Sequence, residues 1–387
     1  MTGVTFGRDA RALFALDPGI TFLNHGSFGI TPNDVLEAQD RFRAEMESDP
    51  DGFFRYRLRP LLRETAAKLG EFLGVPGDSL VFCDNATTGV NTVLRSLDFS
   101  PGDEILYTDH TYNAVHLAIE AVCRKSRAKP VRVPLGLDLA DDEATIARLM
   151  AAVTPRTKLA VMDHITSPTA IVLPVVEMTR ALKERGVRVL VDAAHAPGQI
   201  EFDIAKIGAD WVTGNCHKWL FAPKGSAFLY ASQEMAAQTQ PIVVSHFAAD
   251  GFPRGFDYLG TNDPTAYLSI PVACEFYRRF GGEAVRAHNH ALVKQGAGIL
   301  SRLGVRRILS PRACAMISLA LPQTRAATPD DAHEIMLGMK DRHRINAACH
   351  AFAGALLLRL SAQIYNERAD YELLASALAK DGWPARS

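Results

Sequence analysis

Short apolar runs alternate with longer amphipathic segments between about residues 75 and 230. The runs are Leu80-Val81-Phe82, Glu104–Thr108, Pro130–Pro134, Thr157–Met162, Val187–Val191 and Trp211-Val212-Thr213. Brief apolar runs bounded by Gly and Pro suit strands buried on both faces of a parallel sheet. Helical patterns separate them: one from Val90, one over Thr145–Val153, and one over Val175–Arg185 that stops at Gly186. Strand–helix alternation of this kind predicts an α/β fold with helices on both faces of the sheet. Ahead of it lie an arm or short helix over 1–20 and helices from Asn33 to about Met46 and from Leu61 to Leu73, the latter closed by Gly74. Behind it come a strand led in by Pro223 and Gly225, a loop-like stretch over 240–264, a long helix over Thr265–Phe280 and a last strand at Ala355–Ser361. The pattern gives an arm (1–20), a large domain (21–262) and a smaller C-terminal domain (263–387).

Composition narrows the function. The chain has 387 residues, a formal net charge of -1 and 48% hydrophobic residues, enough for a large core. No basic excess proposes nucleic acid as a partner. The first residues show no apolar core of signal-peptide type, and the late run Ala351–Leu358 is far too short to span a bilayer. The six cysteines are scattered without a CxxC, which points to reduced thiols in a cytoplasmic protein. The histidines fit no zinc spacing, so no metal is expected.

Candidate chemistry gathers at the ends of the runs. Val187–Val191 ends in Asp192, and Trp211–Thr213 leads through Gly214-Asn215-Cys216-His217 to Lys218. Ligands of open α/β sheets collect at the carboxyl ends of strands. An Asp and a Lys meeting there suggest a pyridoxal phosphate site, the lysine holding the aldehyde and the carboxylate pairing with the ring nitrogen. Taken singly, each has a plainer reading, as a turn cap or a surface charge. After Leu80–Phe82 come Thr87 and Thr88 at a helix start, where N–H groups and hydroxyls can share a phosphate charge; Thr also caps ordinary helices. The 104–108 run ends near His110 and Tyr112, either of which could stack on a flat ring. Gly26 and Gly29 around Ser27 and Phe28 indicate a backbone that comes close to something. Arg359 inside an apolar strand needs a buried partner, such as a substrate carboxylate gripped bidentately or a structural ion pair. No GxGxxG follows a strand, which disfavours a dinucleotide fold.

FLNHGSFG (22–29), NATTGVNTVLR (85–95), VDAAHAPGQ (191–199), GNCHKWLFAPKG (214–225), GTND (260–263) and RLSAQIYN (359–366) run in one order along nearly the whole chain. Together they resemble the class V aminotransferase family of fold type I pyridoxal phosphate enzymes, most closely its isopenicillin N epimerase-like branch. The resemblance implies a mainly parallel seven-stranded sheet in the large domain, a smaller α+β domain, and a homodimer with shared active sites. It makes Lys218 the cofactor lysine and proton-transfer group, Asp192 the ring-nitrogen partner and His195 a polar contact to the ring hydroxyl. It assigns Thr87, Thr88, Asn215 and His217 to the phosphate and Thr261 to the phosphate of the partner subunit. Tyr112 is the chosen ring-stacking residue, with His110 as the alternative. Ser167 stands where relatives often carry Asn near the ring; Arg359 would hold the amino acid carboxylate, and Asn24 and His25 would face the substrate.

Such a site acts at the α-carbon of an amino acid. Epimerisation, C–S or β-elimination and transamination share this core, which does not choose among them. A second reading is a cysteine desulfurase or selenocysteine lyase, for which Cys349, close before Arg359, is the candidate nucleophile. A third is a catalytically silent cofactor-binding protein, against which the Asp192, Lys218 and Arg359 set argues.

Overall fold

A computed structural model describes residues 5–382. Its strands are β1 (Thr21–Phe22), β2 (Leu80–Cys83), β3 (Glu104–Thr108), β4 (Lys129–Val133), β5 (Thr157–Asp163), β6 (Arg188–Asp192), β7 (Trp211–Asn215), β8 (Ala227–Ala231), β9 (Arg306–Arg307), β10 (Met316–Ala320), β11 (Ile345–Asn346), β12 (Ala348–Phe352) and β13 (Ala355–Ser361). Seven form the central sheet, in the order β2-β8-β7-β6-β5-β3-β4. All neighbours are parallel except β8, which runs antiparallel to both β2 and β7. The α/β class and the mainly parallel seven-stranded sheet read from the chain are both present.

Alternation explains why the inner strands read as unbroken apolar runs. Val161, Leu190, Trp211 and Leu229 pack on one face, and Ala160, Met162, Val189, Val191 and Val212 on the other. The edge strand β4 is mostly exposed and carries Pro130, which an edge tolerates because its N–H side need not pair. The helix Ala86–Ser96 lies directly on β7: a Cβ added at Gly89 would collide with Thr213.

The C-terminal sheet has the order β12-β13-β10-β9 and encloses a core of its own with the helices Glu283–Leu300, Pro329–His343 and Arg368–Lys380. Thr21 and Phe22 pair in parallel with Ile345 and Asn346, which ties the first strand to the C-terminal part. The helix expected over Thr265–Phe280 is two helices, Thr265–Leu268 and Ile270–Arg279. Pro271 explains the break: it lacks an N–H to continue the first piece and sits comfortably in the first turn of the second.

Candidate active site

A cavity of about 510 Å³ opens at the carboxyl ends of β5, β6 and β7. Its wall includes Thr87, Tyr112, Ser167, Asp192, His195, Asn215, His217 and Lys218, eight of the residues singled out in the sequence. Asp192 ends β6, and Lys218 sits in the turn that joins β7 to its antiparallel neighbour β8. That turn is tied by Cys216 and His217 N–H groups to the Ser226 carbonyl and by the Ala222 N–H to the Cys216 carbonyl. Within it Phe221 takes φ 64°, a costly conformation for a bulky side chain that persists only where packing enforces it. The loop 22–29 presses on the same turn. A Cβ at Gly29 would strike the His217 carbonyl, which is the close backbone approach read from the two glycines.

At the centre, Lys218 Nζ lies 3.3 Å from His195 Nε2. The Trp219 indole N–H donates to His195 Nδ1 at 3.4 Å, which leaves the proton of a neutral ring on Nε2. Burial, with Lys218 next, holds His195 well below the usual imidazole range, so this ring is neutral. Burial, aided by Arg359 and opposed by Asp192, lowers the Lys218 amine to about 7. Asp192 accepts the Ala194 N–H at 2.9 Å through Oδ1.

Asn215 and Asn85 shape the anion end. Asn215 Oδ1 accepts the Ala86 N–H at 2.9 Å, and Asn85 Oδ1 caps the helix by accepting the Thr88 N–H at 2.9 Å. Thr87 lines the cavity, and its hydroxyl has no hydrogen-bond partner among the described residues. The neutral amine, the carboxylate, the free hydroxyl and the helix N-terminus form a donor and acceptor set that fits pyridoxal phosphate.

Several expected residues stand elsewhere. Thr88 faces a neighbouring cavity with Tyr267 and Asn262, its hydroxyl against Asn85. His110 is buried away from the cavity between Thr169 and the Gly136 carbonyl, so of the two stacking candidates it is Tyr112 that lines the wall. His25 was expected to face substrate; instead it is fully buried, its nitrogens 2.8 Å from the Tyr365 hydroxyl and 2.9 Å from the Lys218 carbonyl oxygen. It clamps the lysine turn from behind. Arg359 is 1% exposed and sits behind the wall. It donates to the Ser167 carbonyl at 2.8 Å, the Ser167 hydroxyl at 3.1 Å, the Ser27 hydroxyl at 3.0 Å and Asn24 Oδ1 at 3.2 Å. No carboxylate pairs with it among the described residues, and burial lowers it to about 10. Thr261 is exposed, bonded to the Tyr258 hydroxyl at 3.1 Å and outside this cavity.

Cys349 is corrected as a candidate nucleophile. It pairs with Leu358 across β12 and β13 and points into the C-terminal core, on the face opposite Arg359. Burial pushes its thiol up to about 12, far from a reactive thiolate. The other five cysteines are likewise free and buried.

Sequence reading gave no role to several polar wall residues, among them Ser27, Asp84, Asn85, Asp163 and Lys224. Asp163 carried a signal, since β5 and β6 each end in an aspartate; a strand-terminal Asp is common enough to pass as a turn residue.

Among the described residues no helix is long and apolar enough to cross a membrane, and no group of His, Cys, Asp and Glu has the makings of a metal site. The family model "Aminotransferase class-V" matches residues 29–374. A putative L-cysteine desulfhydrase 1 of Oryza sativa subsp. japonica is 34% identical, over 94% of this chain and 83% of its own length. An isopenicillin N epimerase of Streptomyces clavuligerus is 30% identical, over 96% of this chain and 97% of its own. Among solved structures, the cystine C-S lyase C-DES superposes with TM-score 0.82 at 23% identity, over 94% of this chain and 98% of its own. A cysteine desulfurase of Thermococcus onnurineus NA1 gives TM-score 0.82 at 20% identity, over 98% and 99%. At those identities the two structures speak for the fold, and the match over most of the chain decides the rest: this protein belongs to the class V aminotransferase family.

Proposed function

We propose that the chain is a pyridoxal phosphate enzyme that acts at the α-carbon of an amino acid and eliminates a β-substituent, with sulfide or a thiol as the leaving group. The juxtaposition of a near-neutral buried amine at Lys218 with the Asp192 carboxylate in one cavity carries this reading. When bound, the cofactor supplies an aldehyde for the amino group and an electron sink for the α-carbanion. Lys218 holds it and moves the α-proton. Asp192 keeps the ring nitrogen protonated, and His195 offers its Nε2–H beside the amine. Thr87, Asn215 and His217 would hold the phosphate end, Tyr112 would cover the ring, and Ser167 would stand close to it. Elimination needs one base, which can return its proton to the leaving group, and a single amine suffices for that. Epimerisation is the second reading, supported by the epimerase likeness; it needs a second proton donor on the opposite face.

A screen of L-amino acids with the holoenzyme separates the two. Release of pyruvate and sulfide from L-cysteine supports elimination. Exchange of the α-hydrogen in heavy water with the amine retained supports epimerisation. No colour on adding pyridoxal phosphate sinks both.

The same reading keeps 1–20 as an arm, 21–262 as the cofactor-binding part and 263–387 as the smaller domain. We place the protein in the cytoplasm as a homodimer in which Thr261 reaches the partner's phosphate. Val243 at 50% and Val244 at 82% exposure, with Phe28 at 70%, supply apolar surface for that contact.

Two outcomes follow. The Lys218 amine attacks an aldehyde only when neutral, so cofactor uptake by the apoprotein is expected to rise with pH around a midpoint of about 7. Stopped-flow absorbance checks this; a midpoint near the ordinary lysine value of 10.5 contradicts it. The variant Cys349→Ala is expected to keep its full rate of sulfide release, while thermal unfolding reports a modest loss, on the order of 1 kcal/mol, for the removed buried sulfur. A desulfurase nucleophile would show the reverse, with turnover abolished.

A further inference from the structure

Asp163 is a buried cavity group to which the proposed reaction gives no part. β5 and β6 run in register, so Asp163 stands opposite Asp192 at the same end of neighbouring strands. Opposed residues on parallel neighbours share a face, and the strands lie only ~4.8 Å apart. Both side chains line the cavity, at 3% and 5% exposure.

The surroundings of Asp163 are those of an acid without a counter-charge. Its Oδ1 accepts the Tyr112 N–H at 3.3 Å, and Thr111 lies beside the carboxyl. Its Oδ2 is sealed from solvent and finds no donor. Among the described residues no lysine, arginine or histidine pairs with it. The groups around it are Asp192 from β6, Lys218 beyond Asp192, and Thr111 and Tyr112 from the turn after β3. His164, next along the strand, turns to the other face, towards Phe202 and Arg312.

Two ionised carboxylates side by side at this depth repel strongly, and one of them keeps a proton. Burial raises both carboxyls, but Asp192 is the better seat for the charge, because the Ala194 N–H and Lys218 offset its burial in part. At Asp163 burial, then Asp192, raises the group well above the usual carboxylate range with no cation to offset it. With Oδ1 accepting, the proton belongs on Oδ2. The atom left without a donor is then itself a donor, and its buried, partnerless state is accounted for.

We propose that Asp163 is a neutral carboxyl whose Oδ2–H is donated to the Asp192 carboxylate, making it a positioning residue that orients Asp192 and moderates its pull on the ring-nitrogen proton. The effect on the ring rests on the function proposed above; the proton on Asp163 does not. The two are therefore separable by experiment.

Infrared difference spectra of the full-length apoprotein at pH 7 should show a buried protonated-carboxyl stretch that Asp163→Asn removes. With ¹⁵N-labelled pyridoxal phosphate bound, Asp163→Ala frees Asp192 of its donor. The ring nitrogen should then hold its proton about tenfold more tightly, a rise of about one pH unit in its titration. Asp163→Asn, with an N–H in the same place, should bring that titration back to within about threefold of wild type. Absence of the carboxyl stretch, or its survival in Asp163→Asn, overturns the proposal. So does a fall in ring proton affinity in both variants, which is what removal of a negative charge would give. Should Asp163→Ala fail to fold, the infrared comparison still decides. Should the protein take up no cofactor, the apoprotein spectrum still reads the proton while the function proposed above fails.

Discussion

Lys218→Ala protein is expected to lose turnover by at least 10²–10⁴-fold, the usual span for a positioned proton-transfer group. The expectation comes from the shortage of substitutes. His195 is the nearest basic atom, 3.3 Å from Nζ, yet its Nε2 carries the ring proton and burial keeps the imidazole from charging. Lys224 also lines the cavity, but it sits at the far end of the turn and its amine leans 3.5 Å from the Thr31 hydroxyl. Removing the amine takes away both the anchor and the base, so the loss should exceed what the proton-transfer step alone accounts for. Borohydride reduction of the holoenzyme followed by peptide mass mapping should place the trapped cofactor on Lys218. Small primary amines in the medium should restore part of the Lys218→Ala activity, because the vacated space lies on an open wall. A variant that keeps more than a tenth of the wild-type rate, or a trapped label on Lys224, would refute the assignment.

How far this site could be read from the chain depends on what each residue's role leaves in the sequence. Asp192 and Lys218 were legible because they stand at or just past the ends of short apolar runs, and a run's end in a parallel sheet is already a position in space. Gly29 was legible for a similar reason: its freedom marks a place with no room for a Cβ, here the His217 carbonyl. Register was not legible. Nothing along the polymer says that β5 and β6 align Asp163 with Asp192, since that pairing is fixed by which strands become neighbours and by their offset. His25 shows the converse failure. A histidine in a glycine-rich loop has the look of a substrate contact, and only the packed structure reveals both nitrogens used by Tyr365 and the Lys218 carbonyl. Cys349 turned on strand parity: one position along β12 separates the face shared with Arg359 from the face of the C-terminal core.

Arg359→Met is expected to split activity from stability. A guanidinium at 1% exposure with no carboxylate against it is a costly group to bury. Its partners are a carbonyl, two hydroxyls and an amide oxygen, from Ser167, Ser27 and Asn24, and Nε has none at all. A methionine of similar length removes the desolvation cost and leaves three acceptors without their donor, Asn24 Oδ1 keeping the Ser27 hydroxyl, two effects of opposite sign. Stability by urea unfolding should therefore move by no more than about 1–2 kcal/mol. Substrate binding has no such compensation. Hydrogen bonds to a charged group are worth about 1.5–3 kcal/mol each, so a carboxylate held by two of them should lose on the order of 10²–10⁴-fold in kcat/KM. To reach it, the guanidinium must exchange Ser27 and Asn24 for the incoming carboxylate, which predicts that an amino acid amide, lacking the charge, is a poor substrate for wild type and loses little further in Arg359→Met. A fall in kcat/KM that merely tracks lost folded protein, or equal losses for the acid and its amide, would show that Arg359 serves the fold and not the substrate.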